Sequence, residues 1–201
     1  MDTKIVIVDI DRCETLLAEP ERFCSGSRLE AVGRIGDRDR RMQGLAAELA
    51  LSYALSGEAM LPPEYGYDER GRPVMANGHV SLAHSGRYGV CAVSDAPVGV
   101  DIEVERSVSP SAARRMLCPA ELSRFEKGAE PLYVLKRFVT KEAYLKMTGE
   151  GVFGGMNEVY ETEGRVFRNG VMIGFVYEFG DGFIGMVVTA EETEIELLNV
   201  R

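Results

Sequence analysis

Residues 131–148, PLYVLKRFVTKEAYLKMT, decide how the rest of the chain is read. Leu135, Phe138, Val139 and Leu145 recur at helical spacing, Lys141, Glu142 and Lys146 interrupt the apolar pattern, and Gly149 and Gly151 end it. This is the second long helix of the chain. The first spans residues 37–56, DRDRRMQGLAAELALSYALS, with Leu45, Leu49 and Tyr53 on one stripe and Met42 close to it. Asp37 is its expected N-cap and Gly57 its stop signal.

Strand-like segments surround both helices. Residues 4–10, KIVIVDI, are β-branched with little polar relief and read as a buried strand. Residues 79–83, 88–94 and 98–104 (HVSLA, YGVCAVS, VGVDIEV) are separated by short polar breaks, which predicts an antiparallel meander. The stretch 61–79 is rich in proline and glycine and reads as loop, and CPAELSRFEKG reads as a short helix with Pro119 in its first turn. Within 157–200, VMIGFVYEF, FIGMVVTA and EIELLNV predict a second antiparallel sheet. The order strand, helix, three strands, then helix, three strands predicts an α+β fold. It comprises a pseudo-twofold pair of similar halves, residues 1–104 and 105–201, each a small antiparallel sheet with one long helix.

Composition narrows the class. The 201 residues carry 23 Lys and Arg against 32 Asp and Glu, a formal charge of −9 that disfavours a nucleic-acid-binding protein. Apolar content of 45% and charged content of 27% are those of a globular protein, and no apolar run reaches the length that spans a bilayer. The N-terminal MDTKIVIVDIDR lacks a basic segment and holds acids within its apolar stretch, so it does not read as a secretory signal. A cytoplasmic location is expected, with Cys13, Cys24, Cys91 and Cys118 as reduced, buried thiols whose spacing fits neither a redox pair nor a zinc knuckle.

Several side chains stand out chemically. Asp101 and Glu103 are two apart on a predicted strand, so both carboxylates face one way. Side by side they repel unless a proton or cation intervenes, and oxygen-only ligands suit Mg²⁺; the alternative is a solvated strand face. Glu142 and Lys146 are four apart on the second helix, either as an ordinary exposed ion pair or as a third metal ligand (or base) beside a phosphate contact. His84, in SLAHSGRYG, ends a strand before a turn and is either an anion contact or a turn residue. Arg72 precedes Pro73 in an extended loop, as a phosphate clamp or a solvated cation. Arg38, Arg40 and Arg41 open the first long helix, where the helix dipole gains nothing from cations, a placement that hints at an anionic partner.

Taken in chain order, DRDRRMQG, GRPVM, SLAHSG, PVGVDIE and FVTKEAYLKMTGEG resemble the motifs of the 4'-phosphopantetheinyl transferases, specifically the monomeric two-halved type that activates carrier proteins of peptide and polyketide synthases. The resemblance covers about residues 37–151. It implies transfer of the phosphopantetheine arm of coenzyme A to a serine of an apo acyl or peptidyl carrier protein, with release of 3',5'-ADP, in a cleft between the halves. Asp101, Glu103 and Glu142 would then hold Mg²⁺ (or Mn²⁺), Glu142 would be the base, and Lys146 would steady the leaving phosphate. Arg40, Arg41, Arg72 and His84 would hold coenzyme A.

The chain departs from the family pattern at Ala83, where serine is usual, at Arg72 in place of lysine, and at Phe138 in place of tryptophan. Arg41 takes a position often held by a small hydroxyl residue. Arg28 and Arg34 are the early basic residues available for the 3'-phosphate. Two other classes compete: a coenzyme A or nucleotide-binding protein without transfer, which would not need three carboxylates, and a Mg²⁺-dependent phosphohydrolase. The carrier is expected to dock on a largely apolar face with cations from residues 106–127, Arg114 and Arg115 among them.

Overall fold

The computed structural model describes residues 2–61, 65–69, 72–151 and 155–200. The α+β expectation holds. In chain order the first elements are β1 (Asp2–Asp9), α1 (Glu14–Leu17), α2 (Gly26–Gly33) and α3 (Arg38–Ser56). A short hairpin, β2 (Tyr65–Tyr67) and β3 (Pro73–Met75), precedes β4 (His79–Ser85) and β5 (Tyr88–Ser94). Then come β6 (Val98–Glu103), α4 (Pro110–Met116), α5 (Pro119–Glu126) and α6 (Tyr133–Thr148). The chain closes with β7 (Val159–Thr162), β8 (Arg165–Arg168), β9 (Val171–Phe179), β10 (Ile184–Thr189) and β11 (Glu194–Val200).

The first long helix begins, and both end, where the sequence places their signals. The Asp37 carboxylate accepts from the Arg40 backbone N–H at 2.8 Å, which satisfies one of the open donors of α3. Gly57 and Gly149 close α3 and α6 with φ of 79° and 73°, a left-handed conformation that side chains with a Cβ resist.

The chain divides into two compact units, Met1–Asp95 with Thr193–Arg201, and Ala96–Glu192. The first unit holds a sheet of order β11-β1-β5-β4. Its core joins Val6, Val8 and Cys91 of the sheet to Leu45, Ala46, Leu49 and Ala50 of α3, with Phe23 and Val32 alongside. The second unit holds a five-stranded sheet, β6-β10-β9-β8-β7, antiparallel throughout. There Leu135, Val139 and Ala143 of α6 pack on Val166, Met186 and Val188. A smaller cluster, Ala113, Met116, Leu117, Tyr133 and Val134, fastens α4 to α6.

Four expectations need correction. The division falls after Asp95 rather than near Val104, because β6 pairs with β10 (Asp101 opposite Met186) and not with β5. The three-strand meander is therefore a β4–β5 hairpin followed by a strand of the other unit. The last strand, β11, returns to the first unit and runs parallel to β1, with Ile5 opposite Leu197, so that sheet is mixed rather than antiparallel. The stretch 61–79, read as loop, contains the β2–β3 hairpin. Alternating apolar residues announce a strand and its buried face but say nothing of its partner, which only the folded chain selects.

Candidate active site

The acidic strand and the Lys-Glu-Ala helix meet because of a residue with no side chain. Gly99, Asp101 and Glu103 alternate onto one face of β6. A Cβ on Gly99 would lie 1.9 Å from the Ala143 carbonyl oxygen and 2.5 Å from the Met147 backbone nitrogen, so α6 rests on the bare backbone of β6 at this point. Ala143 and Met147 are the residues that follow Glu142 and Lys146. The same contact therefore brings those two side chains to the carboxylates of β6.

Lys146 Nζ donates to Asp101 Oδ1 at 2.8 Å. Asp101 is buried, and burial raises its pKa while the Lys146 ammonium opposes the rise. Glu103 is half-buried and takes Arg106 as its counter-ion, Nη2 to Oε1 at 2.9 Å. The Arg106 guanidinium in turn stands over the ring of Phe138, 5.8 Å from its centroid. Phe138, where the family's tryptophan is usual, thus props the cation that pairs with Glu103. Glu142 is pushed up to about 7, first by burial, then by Asp101 and more weakly by Glu103, against the pull of Lys146. A carboxyl poised there exchanges its proton near neutral pH.

Among the described residues no three His, Cys, Asp or Glu side chains lie close enough together to hold a metal ion. Ammonium and guanidinium groups supply the counter-charge instead: Lys146 to Asp101, Arg106 to Glu103. Asp101, Glu103 and Glu142 are oxygen donors of the kind a hard divalent cation takes, and Glu142 feels the charge of both strand carboxylates.

The four remaining site residues lie in the first unit. Arg40 is exposed in the first turn of α3. Arg41 is half-buried, and its Nε makes no hydrogen bond among the described residues. Arg72 is held by Asp68, which accepts its backbone N–H at 2.9 Å and its Nε at 2.7 Å; Gly71 of the same motif lies outside the described residues. His84 is exposed on β4 directly opposite Gly89 of β5. A Cβ on Gly89 would lie 2.4 Å from the Ala46 carbonyl carbon, so His84 shares the sheet face on which α3 lies. Of the two early arginines, Arg28 is committed to the buried Glu48 at 2.5 Å and Arg34 pairs with Glu30 on the surface at 2.7 Å.

Sequence reasoning missed three participants. Lys141 is fully buried, with Nζ bonded to Glu121 Oε2 at 2.5 Å and to the Met116 carbonyl at 2.8 Å, which fixes α5 against α6. Arg106 was legible only as a cation three residues beyond Glu103. Glu48 is a lone acid inside LAAELALS, and a charge in an apolar helical run is a signal of internal pairing.

Comparison with known proteins agrees with the motifs. Residues 97–172 match the model of the 4'-phosphopantetheinyl transferase superfamily. A 4'-phosphopantetheinyl transferase of Bacillus subtilis is 26% identical over 137 residues, which cover 64% of this chain and 61% of that protein. The 4'-phosphopantetheinyl transferase HetI of Nostoc is 28% identical over 160 residues, 72% of this chain and 68% of that protein. The 4'-phosphopantetheinyl transferase psf-1 of Bacillus pumilus is 34% identical over 112 residues, 52% and 46% of the two chains. The chain thus spans 61% of the length of the first of these relatives. The matched segment contains both the acidic strand and the helix that faces it, and over residues 97–172 the chain is similar to the 4'-phosphopantetheinyl transferase superfamily.

Proposed function

We propose that this chain transfers the 4'-phosphopantetheine arm of coenzyme A to a serine of an apo acyl or peptidyl carrier protein. The observation that supports this most is the apposition of α6 and β6 at Gly99, which gathers Asp101, Glu142 and Lys146 inside the segment matched by the family. In the reaction, the serine Oγ bonds to the phosphorus that carries the pantetheine arm. The bond from that phosphorus to the bridging oxygen breaks, and 3',5'-ADP leaves. The serine proton passes to Glu142, whose pKa of about 7 suits an acceptor at neutral pH.

Asp101, Glu103 and Glu142 are the residues that would hold Mg²⁺ or Mn²⁺. When bound, such an ion neutralises charge on the diphosphate oxygens. Lys146 gives its ammonium to the oxygen of the departing phosphate. Arg40, Arg41, Arg72 and His84 take the phosphates and the adenosine end of coenzyme A. The protein works as a monomer in the cytoplasm under this reading. Among the described residues no helix is long and apolar enough to cross a membrane.

The test incubates purified protein with coenzyme A, Mg²⁺ and a panel of apo carrier proteins, then weighs the carriers by mass spectrometry. A gain of one phosphopantetheine group that EDTA abolishes is the expected result. Tight coenzyme A binding without any gain identifies a binding protein instead. Metal-dependent release of 3',5'-ADP in the absence of any carrier identifies a phosphohydrolase.

A further inference from the structure

We propose that Glu48 is a positioning residue for coenzyme A capture: its buried carboxylate ties the β2–β3 hairpin, and with it Arg72, to the helix whose first turn carries Arg40 and Arg41. The inference rests on the coenzyme A reading given above.

Glu48 lies mid-way along α3 with no exposed surface. An ionised carboxylate in such a place costs several kcal/mol unless donors fill its lone pairs. Here three do. Oε1 accepts from Arg28 Nε at 2.5 Å and from the Tyr67 hydroxyl, and Oε2 accepts from the Tyr65 hydroxyl at 3.0 Å. The Arg28 guanidinium also stands over the Tyr67 ring at 4.7 Å. An apolar residue would fill the same helix position at lower cost, so what the carboxylate adds is a choice of neighbours: α2 through Arg28, and β2 through both tyrosines.

The hairpin needs that anchor. Its strands have three residues each, and a two-stranded ribbon so short is marginal by itself. Tyr65 and Tyr67, two apart on β2, both reach Glu48. Asp68 follows Tyr67 directly and clamps the turn: it accepts the backbone N–H and Nε of Arg72, while its own N–H donates to the Arg72 carbonyl at 2.9 Å. A continuous path runs from Glu48 through Tyr67 and Asp68 to Arg72. The guanidinium of Arg72 is thereby held in a fixed place relative to α3.

The test compares wild-type protein with Glu48→Gln, Tyr67→Phe, Arg72→Ala and the Glu48→Gln/Arg72→Ala double variant. Coenzyme A affinity is measured by calorimetry, KM and kcat by transfer to a carrier, and hydrogen exchange is followed in ligand-free protein. Glu48→Gln is expected to weaken coenzyme A binding about tenfold, the scale on which supporting partners of a binding group act, with kcat at saturation changed less than about twofold. Exchange at amides 65–69, 72, 74 and 75 should quicken. In the Arg72→Ala background Glu48→Gln should add nothing, because the two act through one contact. Tyr67→Phe, a milder change that keeps the ring under Arg28, should show the same pattern at about threefold and carries the test if Glu48→Gln fails to fold. Unchanged affinity, unchanged hairpin exchange, or additive losses with Arg72→Ala would each overturn the inference alone. Wild-type protein that binds no coenzyme A overturns the functional reading, and this inference with it.

Discussion

Lys146 Nζ stands 2.8 Å from Asp101 Oδ1, so the ammonium of the helix occupies the place beside the strand carboxylate that a bound cation would contest. Lys146 is part-exposed but Asp101 is buried, so Asp101→Asn should be felt in chemistry more than in folding, whereas Lys146→Met also strands a buried carboxylate. Asp101→Asn and Lys146→Met are each expected to lower carrier modification by about 100-fold or more, the usual scale for lost charge stabilisation at a reacting phosphate. The urea midpoint of Asp101→Asn should stay close to wild type, and that of Lys146→Met should fall. A large stability loss with little loss of turnover would assign the pair a structural role.

Glu142 supports two roles that metal titration separates. Glu142→Gln keeps the shape of the side chain and removes both the ionisable oxygen and a cation ligand. Transfer should fall by about 10²–10⁴-fold, as expected for loss of a positioned base. Mg²⁺ affinity, measured by calorimetry with coenzyme A present, should weaken in parallel, and EDTA should abolish wild-type turnover. Near-normal turnover in this variant removes Glu142 from both roles. Normal Mg²⁺ affinity with lost turnover leaves it as base alone.

Gly99 tests the scaffold beneath that chemistry. Its Cβ would meet backbone atoms of α6, which cannot swing aside as a flexible side chain can. Gly99→Ala should therefore lower stability by about 1–3 kcal/mol or more, through forced separation of α6 from β6. Gly26→Ala is the control, since nothing lies within 4 Å of a Cβ there and α2 gains a better helix former. Equal stabilities for the two variants would mean that the close approach at Gly99 is not required.

Much of this was readable in the chain, for identifiable reasons. The two long helices, their caps at Asp37, Gly57 and Gly149, and the shared face of Asp101 and Glu103 follow from local rules of spacing. Strand partners do not follow from such rules. Val98, Val100 and Ile102 are buried whether β6 pairs with β5 or with β10, and nothing local distinguishes the two. The parallel return of β11 to β1 is likewise a long-range choice across almost the whole chain. Within the site, the apposition of Glu142 and Lys146 with Asp101 rests on Gly99, a residue that motif reading treats as a spacer. Lys141 shows the opposite error: a lysine among polar neighbours reads as exposed, yet its pairing with Glu121 buries it.

That buried pair gives the next prediction. Lys141 and Glu121 are almost wholly enclosed, and burial lowers the Lys141 pKa against the pull of Glu121. Removing one partner strands the other charge, so Glu121→Gln or Lys141→Met alone should cost about 3–5 kcal/mol. The double variant should be less destabilised than the sum of the two single changes, because no charge is left unpaired. Urea denaturation of all four proteins gives the coupling directly. Additive losses would mean that the pair is solvated more fully than its burial implies.

The cluster around Glu48 predicts how stability depends on alkaline pH. Burial, reinforced by the Glu48 charge, raises the Cys24 thiol from 9.0 to about 12 and lifts the Tyr65 and Tyr67 hydroxyls above their ordinary value of 10.0; Arg28 opposes these shifts. Cys91, fully buried nearby, is raised for the same reasons. Each is an acid that keeps its proton longer in the folded state than in the unfolded chain. The folded state therefore binds more protons above about pH 9, and unfolding stability falls as pH rises through that window, while below it the contribution is fully present. Urea midpoints should be level between pH 7 and 8.5 and fall steadily from pH 9 to 10.5. Tyr67→Phe removes one of the titrating groups and should make the fall shallower. A midpoint that stays level to pH 10.5 would show that Glu48 and its partners are open to water, and would remove the buried carboxylate on which the anchoring of Arg72 depends.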